Sequence, residues 1–528
     1  MLALLPLAFL WFVLINHLRF EWAVNPQYSF GWAVPVLCVY LAWRAHQKAE
    51  KLKAEKLKGG SRNAGDGGTS NVQLSTFNIQ RAGGVWLAVF LCCAVFYPVA
   101  RMVQEANPEW RLVSWALAAI VTGLTLVIIR RVFGSQALRR FAFPVLFFLV
   151  AVPWPTVIEA PVIQGLARFN AAGAVEVLNL TGTPAFRRGN VIEISTGMVG
   201  IEDACSGIRS FQACLMIALF LGAYHRLKIS RRVALVVAGF VLAIVFNLGR
   251  TVLLVTVASR QGIQAISQWH DPAGVTILVG CFLGVWIVSA IFRRKNGTAG
   301  MDGTDGANNP GLESRTGMSL TLAFGLFFWL IVCEAGVELW YRSHEQNLQA
   351  KLSWVVKFPQ DAGEFRELPF APQTVQLLRF DEGRNAVWTD RDGMRCQAIF
   401  LRWNPGRIAV HLARSHTPEV CLTSAGRKLT GEPLSRTVTV DGLSLTFDVY
   451  HAAADGLWVY YCLWEDQLAE DSSATERLSY RNRLQTVFDG RRNLGQRSLE
   501  FAVWSDAKEE EVLVRAEEQL KAMVRGKN

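Results

Sequence analysis

The sequence predicts an all-α polytopic membrane domain of about eight transmembrane helices, then a ninth helix and a C-terminal α+β extracytoplasmic domain. Three observations predict it. Apolar residues make up 51% of the 528 and charged ones only 18%, below the roughly one-quarter usual in soluble chains. The apolar residues gather into uninterrupted runs, and a run of about 18 or more crosses the hydrocarbon layer as a helix. The last third of the chain is polar, with short stretches in which apolar residues alternate.

The expected spans, in order, are residues 2–15, 28–43, 84–99, 112–129, 141–157, 206–224, 233–257, 272–292 and the ninth at 318–338. Residues 2–15 lack a basic leading region and a small-residue cleavage site, so they read as a span and not as a removable signal peptide. Loop charges orient the set. Lys48, Lys51, Lys53, Lys56, Lys58, Arg62 and Arg81 fall between the second and third spans, which places that loop in the cytoplasm. Every second loop after it is basic as well: Arg130, Arg131, Arg139 and Arg140, then Arg226, Lys228, Arg231 and Arg232, then Arg293, Arg294 and Lys295. The alternate loops are poorer in Lys and Arg, although the one before residue 206 runs for nearly fifty residues. The formal net charge of +11 thus belongs to membrane flanks, and no nucleic acid partner is expected.

Four segments follow from this reading. Residues 1–295 form the multi-span domain, and 296–317, rich in Gly, Asp and Asn, a flexible cytoplasmic linker. A second Gly/Ser/Asn-rich linker covers residues 58–75. Residues 318–338 are the ninth helix, and 339–528 an extracytoplasmic accessory domain. In that domain residues 437–440, 444–450 and 457–463 read as strands, with Asp441 and Gly442 as a turn, and 507–525 as an amphipathic helix.

Of the ten cysteines, Cys38, Cys92, Cys93, Cys214, Cys281 and Cys333 lie inside hydrophobic runs and read as small buried hydrophobes. No CxxC pair occurs and the histidines have no metal-ligand spacing, so neither a metal nor an organic cofactor is expected. An ionisable residue in or beside a span is a functional candidate, because burying it is costly. Cys205 sits where the long outer loop enters the sixth span, near a helix N-terminus that lowers a thiol pKa, with Arg209 one turn on along the same face. Its bland reading is a buried thiol beside a snorkelling arginine. In the seventh span the run Asn247, Leu248, Gly249, Arg250 puts a guanidinium about two turns from the outer end. Arg250 could clamp a carboxylate or a developing oxyanion, or simply pair with a lipid phosphate. His270, at the outer entrance to the eighth span, suits general acid–base work, although most loop histidines are only solvated. His17, expected in the first outer loop, has nothing around it to suggest a site, and His46 and His225 fall on the cytoplasmic side. Cys205, Arg250 and His270 thus converge on one membrane face with the parts of a thiol protease or transpeptidase.

At these residues the chain resembles the exosortase/archaeosortase family. The resemblance spans roughly residues 20–292. It rests on the string from Asn25, Pro26, Gln27, Tyr28 and Ser29 to Pro35, and on Phe143 and Pro144 through Val152, Pro153, Trp154 and Pro155. The run Ala204, Cys205, Ser206, Gly207, Ile208, Arg209, Ser210, then Asn247 with Arg250, then His270, Asp271 and Gly274, completes it. Phe30 departs from the pattern, since many members carry His there. The resemblance implies a bacterial inner-membrane enzyme, with its active site and C-terminal domain facing the periplasm. Its partners would be exported proteins whose C-terminal sorting signal combines a Pro-Glu-Pro-type motif, one transmembrane helix and a basic end. It implies Cys205 as the nucleophile that forms an acyl-enzyme, His270 as proton carrier and Arg250 as oxyanion or substrate clamp. Arg209 and Asn247 would support them, and a lipid or a glycan would be the acceptor. The tail resembles the accessory domain of exosortases in polysaccharide-export settings, over His416, Thr417, Pro418, Glu419, Val420, Cys421 and on to Gly426. There Cys421 could join His416, His411 or His451 in a second thiol site, or pair with Cys396 or Cys462. A transporter or channel subunit for exopolysaccharide export, with Arg250 binding anionic cargo, is the alternative from another class. It lacks support from internal repeats or paired broken helices. A scaffold whose tail does the work is the third reading.

Overall fold

The computed structural model describes residues 5–60, 77–200, 207–297, 320–345 and 353–527, apart from positions 372–373, 376–377, 416, 420–421, 423–426, 428 and 467–478. Cys205, most of both linkers, and His416 and Cys421 lie outside the described residues. Among the described residues six helices are long and apolar enough to cross a membrane, and a seventh, Ile208–Tyr224, is apolar but shorter. The nine expected spans fall on helices α1 (Leu5–Val24), α2 (Ala33–Gly60), α3 (Phe77–Ala106), α4 (Arg111–Phe147, counted twice), α6 (Ile208–Tyr224), α7 (Ile229–Gln261), α8 (Ile266–Gly297) and α9 (Leu320–Glu345).

The ends differ from expectation where helices run past the apolar stretch. His17 does not lie in a loop: it is inside α1, buried, with its Nε2 2.8 Å from the Ser114 hydroxyl. The basic stretch at 130–140 is helical too, and the chain turns there at a single residue, Gly134 (φ 81°, ψ 179°). That this break reverses the chain follows from hydrogen bonds at the far end. The Trp115 indole donates to the Pro153 carbonyl at 2.8 Å and Arg111 to the Trp154 carbonyl at 3.2 Å. A straight helix would hold residues 111 and 147 more than about 50 Å apart at 1.5 Å per residue. Only glycine takes such a φ without strain.

The long loop before residue 206 is also structured. Residues 156–180 form α5 (Thr156–Leu180), followed by a three-stranded antiparallel meander of β1 (Ala185–Arg188), β2 (Val191–Ile194) and β3 (Gly197–Gly200). One face of α5, including Ile163, Ala167, Ala171, Ala174 and Leu178, is buried. It packs with Val255 and Ala258 of α7, and Asn170 donates to the Thr251 hydroxyl at 2.6 Å. The alanines let the two backbones approach closely.

α9 is tied to α3 within the apolar layer. Arg101 donates from Nε and Nη2 to the two carboxylate oxygens of Glu334, both at 2.8 Å, and Tyr97 adds a third bond at 2.7 Å. A buried charge is tolerated there because it is paired and fully hydrogen-bonded.

The C-terminal region is a seven-stranded antiparallel sheet in the order β5-β6-β7-β11-β10-β9-β8. Its strands are β5 (Gly363–Glu367), β6 (Glu382–Thr389), β7 (Arg395–Trp403), β8 (Leu434–Val440), β9 (Leu443–Ala452), β10 (Leu457–Glu465) and β11 (Gln496–Trp504). Asp441 (φ 52°) and Gly442 (φ 77°) make the expected hairpin turn, both with the positive φ a tight two-residue turn requires. One face carries Trp388, Phe400, Phe447, Tyr460 and Phe501 and packs on α12 (Glu509–Met523). The other, with Leu401, Val459 and Tyr461, packs on α10 (Arg407–Ser415) and reaches Val24 at the end of α1. The chain closes on strand β12 (Val524–Lys527), paired with β4 (Ser353–Val356), so the expected terminal helix stops at Met523.

This sheet domain sits on the membrane helices through charge. Arg492, its side chain 8% exposed, meets Glu105 of α3 at 3.2 Å and Glu338 and Glu345 of α9 at 2.7 and 2.6 Å. Arg407 pairs with Glu105 as well. Helix α11 (Tyr480–Phe488) grips the α3–α4 turn: Asn107 donates to the Arg483 carbonyl at 2.9 Å and Arg483 reaches Glu109 at 3.3 Å.

Candidate functional site

One turn of α7 organises the site. Asn247 and Arg250, three residues apart, share a helix face. Asn247 is buried and stands against Gly207, the cap of α6, where a methyl group would lie 2.7 Å from the Asn247 Nδ2. Gly207 has φ 93°, so glycine is required there for conformation as well as for space. Arg250 turns to α8: its Nη2 approaches the His270 carbonyl at 3.4 Å, and Gly274, one turn further along α8, leaves room beside the guanidinium. Its Nε is buried and finds no acceptor among the described residues. The start of α6 and the 270–274 turn of α8, about sixty residues apart in the chain, therefore meet on the same turn of α7.

His270 is half-buried within the first turns of α8. Cys205 lies outside the described residues, two positions before Gly207 in sequence. Arg209 is exposed and its Nη2 lies 3.4 Å from the Ser29 hydroxyl. Within the described residues α6 begins at Ile208, with Gly207 in the left-handed region; the expected spacing from Cys205 to Arg209 falls on a residue outside them. Arg209 reaches the 3-10 turn Pro26–Trp32.

Beside Gly207 a small, shallow hollow opens between α5, α6 and α7. Leu166, Phe169, Phe211, Ala243 and Ile244 line it, with the amides of Asn170 and Asn247 among them.

Sequence reasoning missed a buried acid nearby. Glu159, in the first turn of α5, is 5% exposed and pairs with Arg111, while Gln27 and Tyr28 donate to its other oxygen. The available signal was an acid just after the Pro153, Trp154, Pro155 string, and low hydropathy hid it by ending the expected span there.

The remaining candidates separate from this site. Cys214 and Cys281 are buried among α6, α7 and α8. In the sheet domain, Cys396 and Cys462 lie in the core beneath α12, where burial pushes the Cys396 thiol up to about 12, far from a reactive thiolate. Leu422, the neighbour of Cys421 in sequence, packs on the opposite face of the sheet. The described cysteines form no disulfide with one another. His451 stacks on Trp458, ring centroids 3.7 Å apart, and burial lowers its pKa. Among the described residues no three His, Cys, Asp or Glu side chains gather as a metal site.

The profile of a family described as transmembrane exosortase matches residues 22–287. The match begins at the end of α1 and ends within α8, so it takes in α7 and both segments that meet on it. No curated protein and no solved structure matches the chain.

Proposed function

The chain belongs to the transmembrane exosortase family, and on that premise we propose that it is a multi-pass membrane cysteine transpeptidase that cleaves C-terminal sorting signals of exported proteins. The substrate signal would be of the Pro-Glu-Pro type, presented at the outer face of a bacterial inner membrane, with the sheet domain as an accessory on the same side. The single observation that carries the reading is the Asn247–Arg250 turn, which touches Gly207, next but one to Cys205, and the His270 backbone.

In this mechanism the Cys205 thiolate attacks the scissile carbonyl and forms a carbon–sulfur bond. Charge moves to the carbonyl oxygen, and the Arg250 guanidinium, whose buried Nε has no acceptor among the described residues, stabilises it. The carbon–nitrogen bond then breaks and the leaving amine takes the proton held by His270. A nucleophilic oxygen or nitrogen of a lipid or glycan acceptor attacks the thioester, its proton passes to His270, and the Cys205 thiolate is regenerated. Asn247 keeps the start of α6 in register with α7, and Arg209 supports substrate binding at the rim.

The test is cleavage of a tagged protein bearing a Pro-Glu-Pro-type tail, co-expressed with the wild type or with Cys205→Ala, Arg250→Ala or His270→Ala. The proposal expects processing by the wild type and loss in all three variants at equal protein level. Processing that survives in Cys205→Ala would remove the thiol mechanism.

A further inference from the structure

The string from Asn25 to Pro35 carries part of the family likeness, yet the mechanism above uses none of it. Its centre, Tyr28, is 1% exposed. The phenol lies among four segments. It donates to Glu159 of α5, accepts from the Trp154 backbone N–H at 2.8 Å, and accepts from the Gln212 side chain of α6 at 3.3 Å. A phenolic oxygen has one proton to give and room for about two to accept, so this hydroxyl is fully used. Arg111, paired with Glu159, sits 5.4 Å from the centre of the Tyr28 ring and fixes the acid that orients the phenol.

Gln212 is the informative partner. It is 1% exposed, and its Oε1 is buried with no hydrogen-bond partner among the described residues. The bond from its amide to Tyr28 links this turn of α6 to the 3-10 segment, as the exposed Arg209–Ser29 contact also does. The same turn begins at Gly207 and is pressed on the other side by Asn247. α6 is therefore held at its first two turns between Asn247 and Tyr28.

We propose that the Tyr28 hydroxyl, oriented by Glu159, is a positioning group that sets the first turns of α6, and through them Cys205, against the Arg250–His270 side. It rests on the reading of Cys205 as the nucleophile. A buried, saturated hydroxyl specifies one position more sharply than apolar packing does, because a small shift leaves several polar groups unpaired at once. A displacement of about 1 Å at a reacting atom lowers the rate by as much as about a hundredfold.

The experiment compares full-length wild type, Tyr28→Phe, Gln212→Met and the double variant in membranes. Cleavage is followed over a range of substrate levels. The rate of Cys205 alkylation by N-ethylmaleimide is read by peptide mass spectrometry. The expected result is a fall in kcat of about tenfold or more in each single variant with KM within about twofold. The double variant should be no slower than Tyr28→Phe, because both changes break the same bond, and the alkylation rate of Cys205 should change in parallel. Unchanged kcat, a loss confined to KM, or fully additive losses would overturn the proposal. If Tyr28→Phe fails to accumulate, Gln212→Met alone decides by the same criteria. If wild type does not cleave, the transpeptidase reading has failed, and the alkylation rates still report on whether Tyr28 positions Cys205: equal rates in all four proteins would overturn it.

Discussion

Replacing Gly207 with alanine separates two physical demands at the start of α6. At φ 93° an L-residue is strained, by about 1–2 kcal/mol. The new methyl would also lie 2.7 Å from Nδ2 and 2.8 Å from Cγ of Asn247, where ordinary contact begins at 3.4 Å. The Asn247 amide would have to retreat by about 0.7 Å, and overpacking of that kind in a buried site costs about 1–3 kcal/mol. Gly207→Ala should therefore destabilise the helix bundle by about 3 kcal/mol. Asn247→Ala removes the two atoms closer than 3.0 Å, keeps Cβ at 3.2 Å and leaves the backbone strain. In that background the same glycine substitution should cost mainly the conformational part, which leaves a coupling of about 1–2 kcal/mol between the two sites. Unfolding in mild detergent, followed by tryptophan fluorescence in the four proteins of the cycle, measures it. A cost of Gly207→Ala that is the same with and without the Asn247 side chain would refute the contact that joins α6 to α7.

Other consequences follow from the same contacts. Arg250→Lys keeps the charge but loses the planar fork and its buried Nε, so cleavage should fall by about a hundredfold at normal protein level; activity near that of the wild type would assign the clamp to another residue. Arg492→Met removes the guanidinium shared by Glu105, Glu338 and Glu345. With two of those acids partly solvated the loss should be about 2 kcal/mol, seen as faster release of the sheet domain in limited proteolysis, and unchanged release would contradict the docking. Burial raises the Glu500 carboxyl from 4.5 to about 7, so the folded sheet holds a proton that the unfolded chain has released, and stability falls as pH rises through that window. Glu500→Gln should flatten that dependence and protect β11 amides against hydrogen exchange by about 2 kcal/mol at pH 8, allowing for partial exposure; an unchanged pH slope would count against it.

Much of this was readable from residue type and spacing, and the rest required packing. Cys205, Arg250 and His270 stood out because a thiol, a guanidinium and an imidazole at span ends are costly without a task. That Asn247 meets Gly207 was not readable, since it depends on how two helices forty residues apart lie against each other. Hydropathy located the apolar runs but not their ends: α1 continues through His17 because Ser114 meets its ring. α5 was read as loop because Glu159, Gln164, Arg168, Asn170 and Glu176 dilute it, although its buried face at Ile163, Ala167, Ala171, Ala174 and Leu178 keeps helical period. Glu159 escaped notice for a related reason: its partner Arg111 belongs to another span, and the pair is visible only when α4 doubles back at Gly134. In the sheet domain, the β8–β9 hairpin and β10 were legible from alternation and the Asp441–Gly442 turn. β11 reads as buried on both faces, and its place between β7 and β10 is set by long-range pairing.

The central proposal is that Cys205, next but one to Gly207 in sequence, reacts beside His270 across the α7 turn. The most direct test is a disulfide between Cys205 and a cysteine introduced by His270→Cys, in full-length protein in membranes under mild oxidation, with the linked peptides identified by mass spectrometry. Rapid formation of the 205–270 pair, absent when Cys205→Ser is combined with His270→Cys, is the result the account predicts, because a bridge requires Cα atoms within about 7 Å. No such pair, with both thiols present and open to alkylation, would contradict it.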